Sequence, residues 1–339
     1  MKRNSTVVLL LIVFLTLTAN AQERQPLKLI KTTRLPGFTG DFDHFAIDLR
    51  GKRLFLTAED HKTVEVFDLD GNRVHSITGF GQPHAALFLP DVNQLIVTDG
   101  DDFGMVELVD GKNYKILNTI KLPSGVDGAI YNPVDHYYYV ESGSDDANVK
   151  THVLNIIDTK TFTHVGDITL PGNHSEGMAI DHDGKKLYVN LTGVNQVGAV
   201  DLQSRKVVNT WPVPETQTIN SLVLDEPNQR LFITGRKPPK LEILNAVDGR
   251  AVASFSISGL NDDMWFDAAH KRIYATGTET TTVFEQADAD HYKHVADVPT
   301  GFRAKTSIFV PELNRLYVAV SGKGKPDAQL ALEVYDLVP

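Results

Sequence analysis

Seven polar residues, Asp43, His84, Asp127, Glu176, Asn220, Asp262 and Lys305, follow one another at steps of 41, 43, 49, 44, 42 and 43 positions along a chain of 339 residues. Each stands among largely apolar neighbours. Near-equal spacing implies that each occupies the same place in a repeated unit, so closing the units into a ring would bring all seven to one axis. The set carries a formal charge of −3 with the histidine neutral. Such a ring can do three kinds of work. Its members can simply satisfy one another and water in a wet channel. They can bind a divalent cation: Asp127, Glu176, Asn220 and Asp262 offer the oxygen ligands that Ca²⁺ or Mg²⁺ prefer, and His84 would admit Zn²⁺ or Mn²⁺. Or they can hold a polar small molecule without metal. His84, with an ordinary pKa of ~6.5, is the candidate general base should the site be hydrolytic.

The elements that must position this ring are visible as a recurring phrase, a polar or basic residue followed by alternating apolar residues. It reads Arg53-Leu54-Phe55-Leu56-Thr57, returns as Lys186-Leu187-Tyr188-Val189-Asn190 and Arg315-Leu316-Tyr317-Val318-Ala319, and occurs in seven copies. Around each copy lie an upstream apolar strand (Ala46-Ile47-Asp48), a downstream one (Val64-Glu65-Val66-Phe67-Asp68) and a closing one (Asn118-Thr119-Ile120-Lys121-Leu122 in the second unit). Four short strands per ~40–45 residues is the pattern of a propeller blade. No helical periodicity is sustained. The seventh copy stops after its third strand, at Leu332–Leu337, whereas Leu29–Leu35 precedes the first unit as a spare closing strand. The sequence therefore predicts an all-β fold: a single seven-bladed β-propeller over residues 22–339, with four-stranded blades, closed by the N-terminal strand completing the last blade.

These repeats, and Leu187-Tyr188-Val189-Asn190 in particular, resemble the YVTN-type β-propeller repeat family, which includes the YncE-like exported propellers. The resemblance covers nearly the whole chain after residue 21 and implies the seven-bladed fold. Propellers serve many roles, so it leaves function to the site. Two function classes follow. One is a binding propeller offering its polar channel mouth to a small molecule or a protein. The other is a divalent-metal-assisted hydrolase of the propeller-lactonase kind, in which the cation polarises a carbonyl.

Loops between second and third strands should open beside the ring. They carry Glu59, Asp60, His61, Asp99, Asp101, Asp102, Asp145 and Asp146 in blades 1–3, against Arg236, Lys237, Lys323 and Lys325 in blades 5 and 7. The mouth is thus expected to be acidic on one side and basic on the other, with Arg236 in an outer loop. Other motifs fail on spacing. Asn173-His174-Ser175-Glu176-Gly177 lacks the glycine of a nucleophile elbow, and Ser321-Gly322-Lys323-Gly324-Lys325 lacks the spacing of a phosphate loop. Trp211 and Trp265 are expected to pack between blades.

Composition narrows the rest. The absence of cysteine removes disulfides, thiolate metal sites and cysteine nucleophiles. A net charge of −10 disfavours nucleic acid and anionic lipid as partners. Lys2 and Arg3, the apolar run Val7–Leu17 and Ala19-Asn20-Ala21 form a secretory signal over residues 1–21, cleaved before Gln22. A periplasmic or secreted monomer with no membrane span is the expectation.

Overall fold

The computed structural model describes residues 25–101, 103–144, 148–325 and 327–338. The expected signal peptide at residues 1–21 lies outside them. The described residues form seven antiparallel four-stranded sheets, one per repeat, and together they make the seven-bladed propeller. Each recurring phrase is the second strand of its blade, as in Arg53–Ala58, Lys186–Leu191 and Arg315–Val320.

These strands read as nearly continuous apolar runs because each blade is covered on both faces by its neighbours. Leu54 and Leu56 pack with Tyr317 and Leu332 of blade 7. Phe55, pointing the other way, packs with Phe88, Leu95 and Val97 of blade 2. Blade 4 repeats the arrangement, with Leu187 and Val189 against blade 3 and Tyr188 against blade 5. Trp211 stacks with Tyr188 of its own blade at 6.3 Å between ring centroids and packs against the core it shares with Leu231 and Ala246 of blade 5, the inter-blade role expected of it. Fourth strands, such as Arg73–Thr78, form the exposed rim.

A left-handed residue stands just before the second strand in six blades: Lys52, Asn93, His136, Gln229, Lys271 and Asn314. In blade 4 Gly184 takes that conformation one position earlier. Such a residue closes the tight hairpin from the innermost strand and fixes its register. Closure follows the expected route. Leu27–Arg34 pairs antiparallel with Ala331–Leu337, from Leu27 opposite Leu337 to Arg34 opposite Ala331. Leu35 then enters the core shared by blades 7 and 1. No helix among the described residues is long and apolar enough to cross a membrane.

Candidate functional site

The seven innermost strands surround a central cavity of about 670 Å³, and all seven ring residues line it. Bulges aim them there. In blades 2, 3 and 5 the pairing of the innermost strand shifts between Pro83 and Ala86, Val126 and Ala129, and Ile219 and Leu222. His84, Asp127 and Asn220 sit within those shifts. A bulge turns a side chain away from the regular pleat, which is how a strand end delivers a group to a site. In the other four blades the ring residue stands one or two positions before the first paired residue.

The last residue of the recurring phrase bonds the backbone beside the ring, at a bulge in the case of Thr98 and Asn190. Thr57 Oγ1 accepts from the His44 amide at 2.8 Å, and Thr98 Oγ1 accepts from Ala85 while donating to Asp127 O at 2.9 Å. Asn190 Nδ2 donates to Asn220 O at 2.8 Å, and Glu141 accepts from the Ser175 amide at 3.0 Å. Neighbouring blades are thus tied together at the ring. Their closest approach requires Gly177, whose amide donates to Asn220 O at 2.7 Å. A Cβ on Gly177 would lie 2.3 Å from that oxygen. Ser175 itself is buried, 1% exposed.

On one side of the axis the ring is a buried ion-pair network. Lys305 bonds Asp262 and lies 3.8 Å from Asp43 and 3.9 Å from Asp41. Asp262 also receives Arg236, and Asp43 lies 2.7 Å from His84 Nδ1. His44 pairs with Asp263 at 3.3 Å. Burial opposes the charge of His84, but its hydrogen bond to Asp43 and the charge of Asp127 outweigh this and push its pKa up to about 9. Burial likewise opposes His44, yet Asp43 and Asp263 hold it well above the ordinary imidazole value. Asp43 would be raised by burial, and the charges of His44, His84 and Lys305 instead keep it far below the usual carboxylate range.

Blades 3 and 4 are different. Burial first, then the charges of Asp127 and Asp262, hold the Glu176 carboxyl well above its ordinary value, with Arg236 only partly opposing. Asp127 is raised by burial and by Asp43, against the pull of His84 and His44. Glu141 behind them is raised by burial and by Asp127. The cavity wall below the ring is apolar, formed by Ile130, Met178, Leu222, Met264, Trp265 and Phe266.

Several expectations change against this geometry. His84 is an imidazolium at neutral pH and has no free capacity to accept a proton, so it does not fit the role of general base. Asp262 is engaged by Lys305 and Arg236, so the four candidate ligands Asp127, Glu176, Asn220 and Asp262 do not form one free oxygen cluster. The close group of acid and imidazole atoms among the described residues is instead Asp43, His84 and Asp127, mutually within 4.8 Å. Arg236 is not in an outer loop: its strand runs on to Lys237, which carries the guanidinium into the cavity. The expected division of the mouth into acidic and basic sides also fails. Lys323 faces Asp60 at 3.4 Å and Glu59 at 3.8 Å, while Asp99 is buried and caps the Gly81 and Gln82 amides. Asp102, Asp145 and Asp146 lie outside the described residues. Trp265 packs between blades as expected but also lines the cavity.

Four further lining residues, His44, Glu59, Arg236 and Asp263, complete the site. His44 and Asp263 each follow a ring residue, so the repeat alignment read one position further along would have found them.

No family model matches the chain, and no curated protein matches it. Similar solved structures include a chain of the mitotic checkpoint complex, at 16% identity and a TM-score of 0.77, covering 99% of this chain and 100% of that one. Hydrazine synthase of Kuenenia stuttgartiensis is similar at 19% identity and a TM-score of 0.71, over 84% of this chain and 96% of that one. At these identities the likeness establishes the propeller fold.

Proposed function

We infer that this chain is an exported, monomeric binding propeller of the YncE-like kind that takes a small organic ligand into its central cavity. The observation that carries this reading is the convergence of seven polar side chains, one per blade, on a cavity of about 670 Å³. That volume falls within the ~300–1,000 Å³ typical of small-molecule sites, and an apolar wall with a few placed polar groups is their usual lining. The test is to plug the cavity. A Cβ on Gly128 would meet only Met178 Cε, at 4.0 Å, so Gly128→Phe has open space to enter. Ligand-observed NMR with a set of small charged and neutral molecules should detect binding to the wild type and none to the folded plug variant. Equal binding to both would remove the cavity from the account. Export predicts an intact mass beginning at Gln22 for protein taken from its native envelope.

A second reading, cation-assisted hydrolysis, draws support from the convergence of Asp43, His84 and Asp127. It requires the incoming ion to displace the proton of His84 to solvent. A thermal-shift series with Ca²⁺, Mg²⁺, Mn²⁺ and Zn²⁺ on chelator-treated protein tests it, and an unmoved melting point in all four would remove it.

A further inference from the structure

We propose that the cavity is built for an organic ammonium, a protonated amine with an apolar body; the proposal rests on the binding reading above and names the ligand class of that same site. Charge is the first ground. The lining holds six carboxylates, Asp43, Glu59, Asp127, Glu176, Asp262 and Asp263, against four cationic groups, His44, His84, Arg236 and Lys305. The cations are all engaged by Asp43, Asp262 and Asp263, on one side of the axis. Asp127 shares only His84, at 3.5 Å, and the Glu176 carboxyl makes no side-chain hydrogen bond or ion pair with any described residue. An incoming cation would therefore meet, on blades 3 and 4, carboxyls that no cation fully pairs and that its own charge would hold ionised against the burial and neighbouring acids that raise them, and an incoming anion would meet no free cation.

The second ground is independent of charge. Asn220, 5% exposed and lining the cavity between Glu176 and Asp262, has an Oδ1 without a hydrogen-bond partner. A buried acceptor without a donor is costly, so the site is short of donors as well as of positive charge. An ammonium brings three donors and one charge in a single group.

The apolar wall separates an organic ammonium from a metal ion. Met178, Leu222 and Trp265 line the same cavity, and a bare divalent ion would leave that surface in contact with water. The imidazolium of His84 also stands inside the only tight group of acid and imidazole atoms among the described residues, where it repels an ion seeking three ligands. An alkyl or aryl amine instead places its nitrogen at Glu176 and Asp127 and its body along the wall.

The experiment uses four probes on the full mature chain: n-hexylamine, n-hexanol, hexanoate and Ca²⁺, each titrated by calorimetry at neutral pH. Hexylamine alone should bind, and Glu176→Gln should weaken it about tenfold or more, the range expected for losing one charge-assisted hydrogen bond. Glu285→Gln, at an exposed position of the third strand of blade 6, should leave it unchanged. Gly128→Phe should abolish it. Binding of hexanol or hexanoate, but not hexylamine, in a manner lost in Gly128→Phe would overturn the ammonium assignment while leaving the cavity a binding site. Saturable Ca²⁺ binding with no amine response would overturn it in favour of the metal reading. Hexylamine binding unaffected by either Glu176→Gln or Gly128→Phe would place the amine elsewhere and overturn it too.

Discussion

Lys305→Met probes the ion-pair side of the ring. The ammonium is 9% exposed and is shared by Asp262, Asp43 and Asp41, whose side chains are 7%, 9% and 3% exposed. Methionine keeps the length of the stem and removes the charge. Breaking a buried pair by deleting one partner typically costs about 3–5 kcal/mol, because the other charge is left buried. Each of the three carboxylates here retains at least one partner: Arg236 on Asp262, His84 and His44 on Asp43, and Arg303 on Asp41 at 2.6 Å. The loss should therefore fall at the lower end, about 3 kcal/mol. Equilibrium urea unfolding at pH 7, read from the midpoint at unchanged slope, measures it. Glu176→Gln is the companion from the opposite side of the axis. It removes a carboxyl whose ionised form burial and the charge of Asp127 disfavour, and it should leave the midpoint unchanged or higher. The two substitutions must differ in sign or in size by well over the error of the method. A Lys305→Met protein as stable as the wild type would mean that the network contributes nothing to the fold, and the division of the ring into paired and unpaired sides would fall with it.

Deleting Leu29–Leu35 removes most of the closing ladder and the buried Leu35, so the loss should exceed the ~2–5 kcal/mol of one buried leucine, and the bared Ala331–Leu337 edge should drive oligomers visible by size exclusion. A monomeric deletion variant with an unchanged melting temperature would refute the closure. Glu107 is buried beside Asp99, and burial followed by that charge pushes its pKa up to about 7. Its raised value means that stability is lost as pH rises from ~4.5 through about 7, so Glu107→Gln should stabilise at pH 8 and have no effect at pH 4. For His84 the raised pKa of about 9 gives a contribution fully present below ~6.5 and lost as pH climbs through 9. The advantage of the wild type over His84→Gln should shrink across that window, and a constant difference would contradict the pairing with Asp43.

The sequence carried the ring because its signal is periodic. A polar residue at one fixed offset in every repeat survives any uncertainty about local structure, and Asp43 through Lys305 accordingly all face the cavity. What it did not carry is who pairs with whom. The partner of Asp262 depends on a strand that runs to Lys237 in blade 5, three residues beyond the recurring phrase, and no local spacing announces that extension. The charge state of His84 depends on Asp43 and Asp127, which are distant in sequence and meet it only across the closed ring. Thr57, Thr98 and Asn190, which bond the backbone beside the ring, stand at the last position of the phrase, which is polar in six of its seven copies. Their use became visible only once the bulges placed backbone groups beside them.

Crystallographic soaking with a mixed set of small amines, alcohols and carboxylates tests the central claim most directly, because it reports both occupancy and place. The account predicts a ligand in the central cavity, its polar group within about 3 Å of Glu176, Asp127 or Asn220 and its body along Met178, Leu222 and Trp265. Ligands bound only on the outer surface, with ordered water alone filling the ring under the same soak, would contradict it.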